Sequence, residues 1–179
     1  VTVYVNPLPT ASISGTATVC KNSASPIITF TAANGTAPYT FTYRVNGGTN
    51  QTITTSTGSS VTLLATTSTV GTYNYSLVSV QDSSTSTCTQ LQSGTATITV
   101  NSLPTATISG TVSTCANAVN PIVTFTGANG VAPYTFTYSV NGGANQSITA
   151  TSNSVTIPVS TATVGIYTYN LVSVSDSSV

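Results

Sequence analysis

Only four side chains in this 179-residue sequence carry a charge, Lys21, Arg44, Asp82 and Asp176, and only three carry a thiol, Cys20, Cys88 and Cys115. General acid–base catalysis draws mainly on His, Glu, Asp, Lys, Tyr or Cys held close together. Here there is no His or Glu, and the two Asp stand far apart in sequence. Metal sites want clustered Cys, His or carboxylates, and calcium wants six to eight oxygens. The sequence therefore predicts no catalytic residue, no cofactor and no metal ligand. A formal net charge of zero gives no electrostatic footing for nucleic acid or an anionic membrane surface. No apolar run approaches the roughly 20 residues of a membrane-spanning helix, and no basic then apolar leader opens the chain. What remains is hydroxyl: 39 Thr and 26 Ser, about a third of the residues. Apolar residues at 39 % suffice for real cores, and disorder goes instead with low hydrophobicity and high net charge.

Each remaining candidate has a structural reading beside the chemical one. Tyr39, Tyr43, Tyr73 and Tyr75 could form a stacking platform for sugar, but they alternate with polar residues and so read as core or corner. Asp82 and Asp176, each followed by Ser, read as turn formers that bond their own backbone. Asn-x-Ser/Thr triplets at Asn34, Asn50, Asn74 and Asn145 are expected by chance in so Thr-rich a chain. The Thr-x-Thr ladders suggest an ice-binding face; they read instead as the outward positions of ordinary twisted strands.

The elements that position these residues come twice. NPLPTASISG at 6–15 returns as NSLPTATISG at 101–110, and APYTFTY at 37–43 recurs unchanged at 132–138. VGTYNYSLVSVQDSS at 70–84 returns as VGIYTYNLVSVSDSS at 164–178. Lys21 becomes Ala116 and Arg44 becomes Ser139, so both charges read as solvated surface, and Lys21 as no isopeptide donor. Within each copy the apolar residues alternate, as in Tyr39, Phe41, Tyr43 and Val45, or Ala96, Ile98 and Val100, which is the period of a half-buried strand. Asn34-Gly35, Asn46-Gly47-Gly48, Gly58 and Gly71 supply the turns. In Tyr73–Val80 the apolar parity switches, which predicts a β-bulge near Leu77–Val78. About seven short strands in about 95 residues is the count of an immunoglobulin-like antiparallel β-sandwich. VTVYV at 1–5 aligns with ATITV at 96–100. The expected boundaries are therefore a last strand of a preceding repeat at 1–6, a complete repeat at 7–101, and a second repeat at 102–179 that stops before its last strand. Short Pro-bearing junctions, Asn6–Pro9 and Asn101–Pro104, predict stiffness between units.

The APYTFTY strand, the NGG hairpin, the VGTY start of the penultimate strand and the paired Cys resemble the PKD-like, immunoglobulin-type repeats of giant surface adhesins that gliding bacteria export by type IX secretion. The resemblance implies an all-β fold of tandem repeats, a cell-surface or extracellular location, and a non-catalytic role as stalk, filament or adhesin body. The partners expected are neighbouring repeats of the same chain, with self-association into filaments as an open alternative. The alternatives are a glycan- or protein-binding module and a noncatalytic spacer of a secreted enzyme. Asp82-Ser83 also resembles the O-glycosylation acceptor of these bacteria, with Ser84 departing from its third position. The paired cysteines imply a disulfide between Cys20 and Cys88, with Cys115 pairing outside the window. Against it stands geometry: the turn after the first strand and the last hairpin lie at opposite poles of a sandwich, and Cα atoms must come within about 7 Å.

Overall fold

Thr, Val, Ile, Phe and Tyr in alternation fit a pleated, half-buried surface and little else. In the computed structural model, which describes residues 1–178, every regular element is a strand and none of the described residues is helical. The chain divides into two compact units, the first ending at Asn101 and the second beginning at Ser102. Residues 1–9 belong to no strand, and Val1, Val3, Tyr4 and Val5 are exposed.

The first unit holds nine strands: β1 (Thr10–Ser14), β2 (Ala17–Cys20), β3 (Ile27–Ala33), β4 (Thr40–Val45), β5 (Gln51–Thr54), β6 (Ser60–Leu64), β7 (Gly71–Gln81), β8 (Thr89–Leu91) and β9 (Thr95–Asn101). One antiparallel sheet runs β1-β3-β6; the other runs β2-β9-β7-β4-β5, with β8 alongside β7. All its pairings are antiparallel except β2 on β9. Period-2 alternation sends Ile28, Phe30 and Ala32 inward from one sheet and Phe41, Tyr43, Tyr75, Leu77, Ala96, Ile98 and Val100 from the other, into one shared core. The Phe30 ring sits 5.1 Å from Tyr43 and 5.6 Å from Phe41. Burying each such Phe contributes about 2–3 kcal/mol, which makes this cluster the main source of stability. The parity switch has its expected cause: Thr42 faces Ser79 while Tyr43 faces Leu77, so Val78 is the extra residue of a bulge. At the hairpin after β4, Asn46 and Gly47 both take positive φ (51° and 70°), and Gly48 N donates to Val45 O at 3.0 Å. That is the type I′ geometry which Asn-Gly favours.

The second unit repeats much of this with β10 (Thr105–Ser109), β11 (Ile122–Ala128), β12 (Tyr134–Val140), β13 (Gln146–Ala150), β14 (Ser154–Pro158) and β15 (Tyr169–Ser175). Its sheets run β10-β11-β14 and β13-β12-β15 around Phe125, Tyr134, Phe136 and Tyr138. The bulge recurs at Val172. Two segments differ. Val112–Cys115, the copy of β2, is not a strand, and neither is Gly165–Thr168, the copy of the first part of β7. In the first unit β2 pairs only with β9, and β4 reaches β7 only from Tyr75 onward, so Gly71–Asn74 also owes its strand pairing to β9. Both segments lack the neighbour that would make them strands.

Candidate functional site

Asp82 is the one charged side chain of the described residues that is fully buried, at 4 % exposure. Its position at the end of β7 aims the carboxylate between two loops. Oδ2 accepts from Thr36 N at 3.1 Å; Oδ1 accepts from Cys88 N at 2.8 Å and from Ser84 Oγ at 2.9 Å. Burial alone would raise its pKa, but the bonds donated by Ser84, Thr36 and Cys88 outweigh that and hold the carboxyl below its ordinary value. Asp82 is therefore more than a local turn former: it ties together chain segments 46 residues apart. Gly35 permits the approach, because a Cβ there would lie 2.9 Å from Oδ2. Asp176 repeats the arrangement, accepting from Val131 N at 2.7 Å and Ser178 Oγ at 2.9 Å, and its carboxyl is likewise held low against the effect of burial. With both carboxylate oxygens of each Asp accepting internal bonds, each acts as a structural pin. Among the described residues no three of His, Cys, Asp or Glu come together.

The tyrosines separate by environment. Tyr39, Tyr43, Tyr75, Tyr134 and Tyr138 are buried, and so present no ring face to a sugar. Tyr39 N donates to the buried Thr55 Oγ1 at 2.9 Å, a partner with no signature in the sequence. Tyr73 OH donates to Thr69 O at 3.0 Å and Tyr167 OH to Thr163 O at 3.1 Å, each closing a corner onto the backbone four residues upstream. Arg44 Nε donates to Asn50 Oδ1 at 2.6 Å on the exposed face, and Lys21 is exposed.

The structure does not bring Cys20 and Cys88 together. Cys20 ends β2 opposite Asn101, at the Gly71 end of β7, whereas Cys88 O accepts from Asp82 N beyond the Gln81 end. The length of β7 lies between them, roughly 30 Å at about 3.3 Å per residue, against the 7 Å or so that a disulfide allows. The physical reason is the parallel pairing of β2 on β9, which carries Cys20 to the far pole. Both are free thiols, and Cys115 is a third, exposed one.

The second unit carries a groove of about 570 Å³ between segments 111–116 and 163–169, with Ile108, Val123 and Val159 among its lining. Val112, Val164 and Ile166 stand exposed along it, and Tyr167 is 41 % exposed. Its lining is mostly Thr, Ser, Gly, Val and Ile, with Cys115, Tyr167 and Tyr169 among them and no carboxylate, imidazole or amine.

No protein-family model matches this sequence, and no curated protein does. Solved structures do resemble its fold. One is described as a Ca2+-stabilized adhesin that helps an Antarctic bacterium reach out and bind ice; it is 17 % identical, with a TM-score of 0.50, over 88 % of this chain and 42 % of its own. Another is a 1.5-MDa bacterial ice-binding adhesin, 13 % identical with a TM-score of 0.50, over 88 % of this chain and 55 % of its own. The chain thus spans about half the length of the solved chains it matches. At such identities the likeness speaks to the fold, an all-β architecture of antiparallel sheets.

Proposed function

We propose that this chain is a structural, adhesive segment of a long extracellular surface protein, without catalytic activity. The observation that carries the reading is duplication of purely architectural features. The aromatic core, the Asp pin, the type I′ turn and the tyrosine corner each occur twice, while the few charged residues that vary between copies lie on the surface. Such units serve as beads whose number sets reach. The fold of the two adhesins is consistent with this. On this reading the units are PKD-like, immunoglobulin-like repeats of about 95 residues, with 1–6 closing a preceding repeat, 7–101 complete and 102–179 lacking its last strand. The tyrosine corner supports the immunoglobulin-like assignment. Type IX export rests on the sequence resemblance alone.

The test replaces residues 7–178, in the full protein on its producing cells, with an unrelated pair of β-sandwich domains of equal length. A stalk keeps cell attachment after the exchange. Loss of attachment with the surface level unchanged would make the segment a binding module and overturn the stalk role.

A further inference from the structure

Both units place Asn-Gly where the backbone must turn left-handed. Asn34, Asn46, Asn129 and Asn141, each followed by Gly, take φ of 63°, 51°, 62° and 51°. Asn tolerates that region better than most residues. Yet Asn-Gly is also the dipeptide most prone to lose its side-chain amide in water, because Gly sets no side chain in the way of the attacking nitrogen. In that reaction the Gly nitrogen, its proton taken by hydroxide, bonds to Asn Cγ, and the Cγ–Nδ2 bond breaks to release ammonia. Water then opens the cyclic imide at either carbonyl, leaving Asp or isoaspartate. The fold engages the four pairs in two ways. Gly35 N donates to Tyr39 OH at 3.2 Å and Gly130 N to Tyr134 OH at 3.1 Å, and both tyrosines are buried. Asn34 Nδ2 donates to Thr10 Oγ1 at 3.3 Å, and Asn129 Nδ2 to Thr105 Oγ1 at 3.1 Å. At the hairpins the side-chain carbonyl is held instead: Asn46 Oδ1 accepts from Asn74 N at 2.8 Å and Asn141 Oδ1 from Thr168 N at 2.7 Å.

We propose that Asn34 and Asn129 are deamidation sites gated by the hydroxyls of Tyr39 and Tyr134, suppressed while each unit is closed and modified once it opens. The inference does not depend on the adhesive role. The nucleophile is the Gly35 nitrogen without its proton, and a hydrogen bond donated from that N–H stabilises the protonated form that must be left. The Tyr39 ring also crowds the approach of hydroxide, since a Cβ at Gly35 would lie only 3.1 Å from its Cε1. The consequence is specific to this loop. Isoaspartate carries the main chain through the side-chain carboxyl and so inserts a methylene between residues 34 and 35. Gly35 has no slack for it: a Cβ there would lie 2.9 Å from Asp82 Oδ2, the atom that Thr36 N binds at 3.1 Å. Either product also brings a second negative charge toward the buried Asp82 carboxylate. Gly130 stands in the same relation to Asp176, which accepts from Val131 N. Modification therefore unseats the pin of each unit, and an opening event leaves a permanent chemical mark.

The test is peptide mapping by mass spectrometry, which separates Asn, Asp and isoaspartate, on the 179-residue chain aged in mildly alkaline buffer. The native chain is compared with the same chain in guanidinium chloride and with Tyr39→Phe and Tyr134→Phe. Asn34 and Asn129 should stay amides in the native chain, while all four Asn convert in guanidinium. Tyr39→Phe keeps the ring and removes the acceptor. It should speed conversion of Asn34 about fivefold, the worth of one neutral hydrogen bond, and leave Asn46 of the same unit unchanged. Tyr134→Phe should do the same at Asn129 and not at Asn141. The hairpin Asn tells a lost gate from a loosened unit, because general opening exposes both pairs alike. Native Asn34 converting as fast as in guanidinium overturns the proposal. So does a folded Tyr39→Phe that leaves Asn34 unchanged or speeds Asn34 and Asn46 together. Should circular dichroism show one variant unfolded, the other and the guanidinium comparison still decide.

Discussion

Replacing Asp82 by Ala tests how far a single buried carboxylate holds the first unit together. Three donors lose their acceptor: Thr36 N, Cys88 N and Ser84 Oγ. Thr36 is exposed and its N–H can turn to water, whereas Ser84 is buried and Cys88 half-buried. An orphaned buried donor costs about 1–3 kcal/mol, so two of them put the loss at about 2–6 kcal/mol. For a domain of this size each kcal/mol shifts Tm by about 4–8 °C, which predicts a drop of at least about 8 °C. Asp82→Asn keeps an oxygen for Cys88 and Ser84 but gives up charge assistance, and should fall between wild type and Ala. The pH dependence follows from sign. The folded pKa lies below the unfolded value of about 3.9, so the ionised Asp82 stabilises above that pH and the contribution is lost as pH falls through the folded pKa. Thermal unfolding followed by circular dichroism at a series of pH values measures both effects. The gap between wild type and Asp82→Asn should narrow below about pH 4. An Ala variant within about 0.5 kcal/mol of wild type, or a gap that widens in acid, would refute the reasoning.

The remaining expectations concern the core and the thiols. Phe41→Ala empties a fully buried ring site and should cost about 3–5 kcal/mol, read as a lowered urea midpoint; a loss under about 1 kcal/mol would mean the two sheets do not share that core. Phe136→Ala should act similarly on the second unit. Mass spectrometry of material exported under oxidising conditions should find no Cys20–Cys88 bond, both thiols being alkylated after unfolding in denaturant; recovery of that bond would require β2 to leave β9.

The strands were legible because alternation is a local signal: Tyr39, Phe41 and Tyr43 declare a half-buried strand by themselves, and the parity switch at Leu77–Val78 declares the bulge. The Asn46-Gly47 turn was legible for the same reason. What escaped depends on partners distant in sequence. Nothing around Asp82 announces Thr36 as its partner, and a lone Asp before Ser reads as a turn. The parallel pairing of β2 with β9 had no signature either, and on it hangs the separation of Cys20 from Cys88. A segment such as Gly165–Thr168 carries strand propensity yet is not a strand, since its pairing depends on a neighbour rather than on its own residues.

The proposal that these units extend an adhesive surface protein is tested most directly by cell attachment after residues 7–178 are excised in frame. Attachment would be counted under flow, with the surface level of the remaining protein matched by antibody. The account predicts fewer attached cells, because the reach contributed by both units is lost. Attachment equal to that of the parent cells would contradict it.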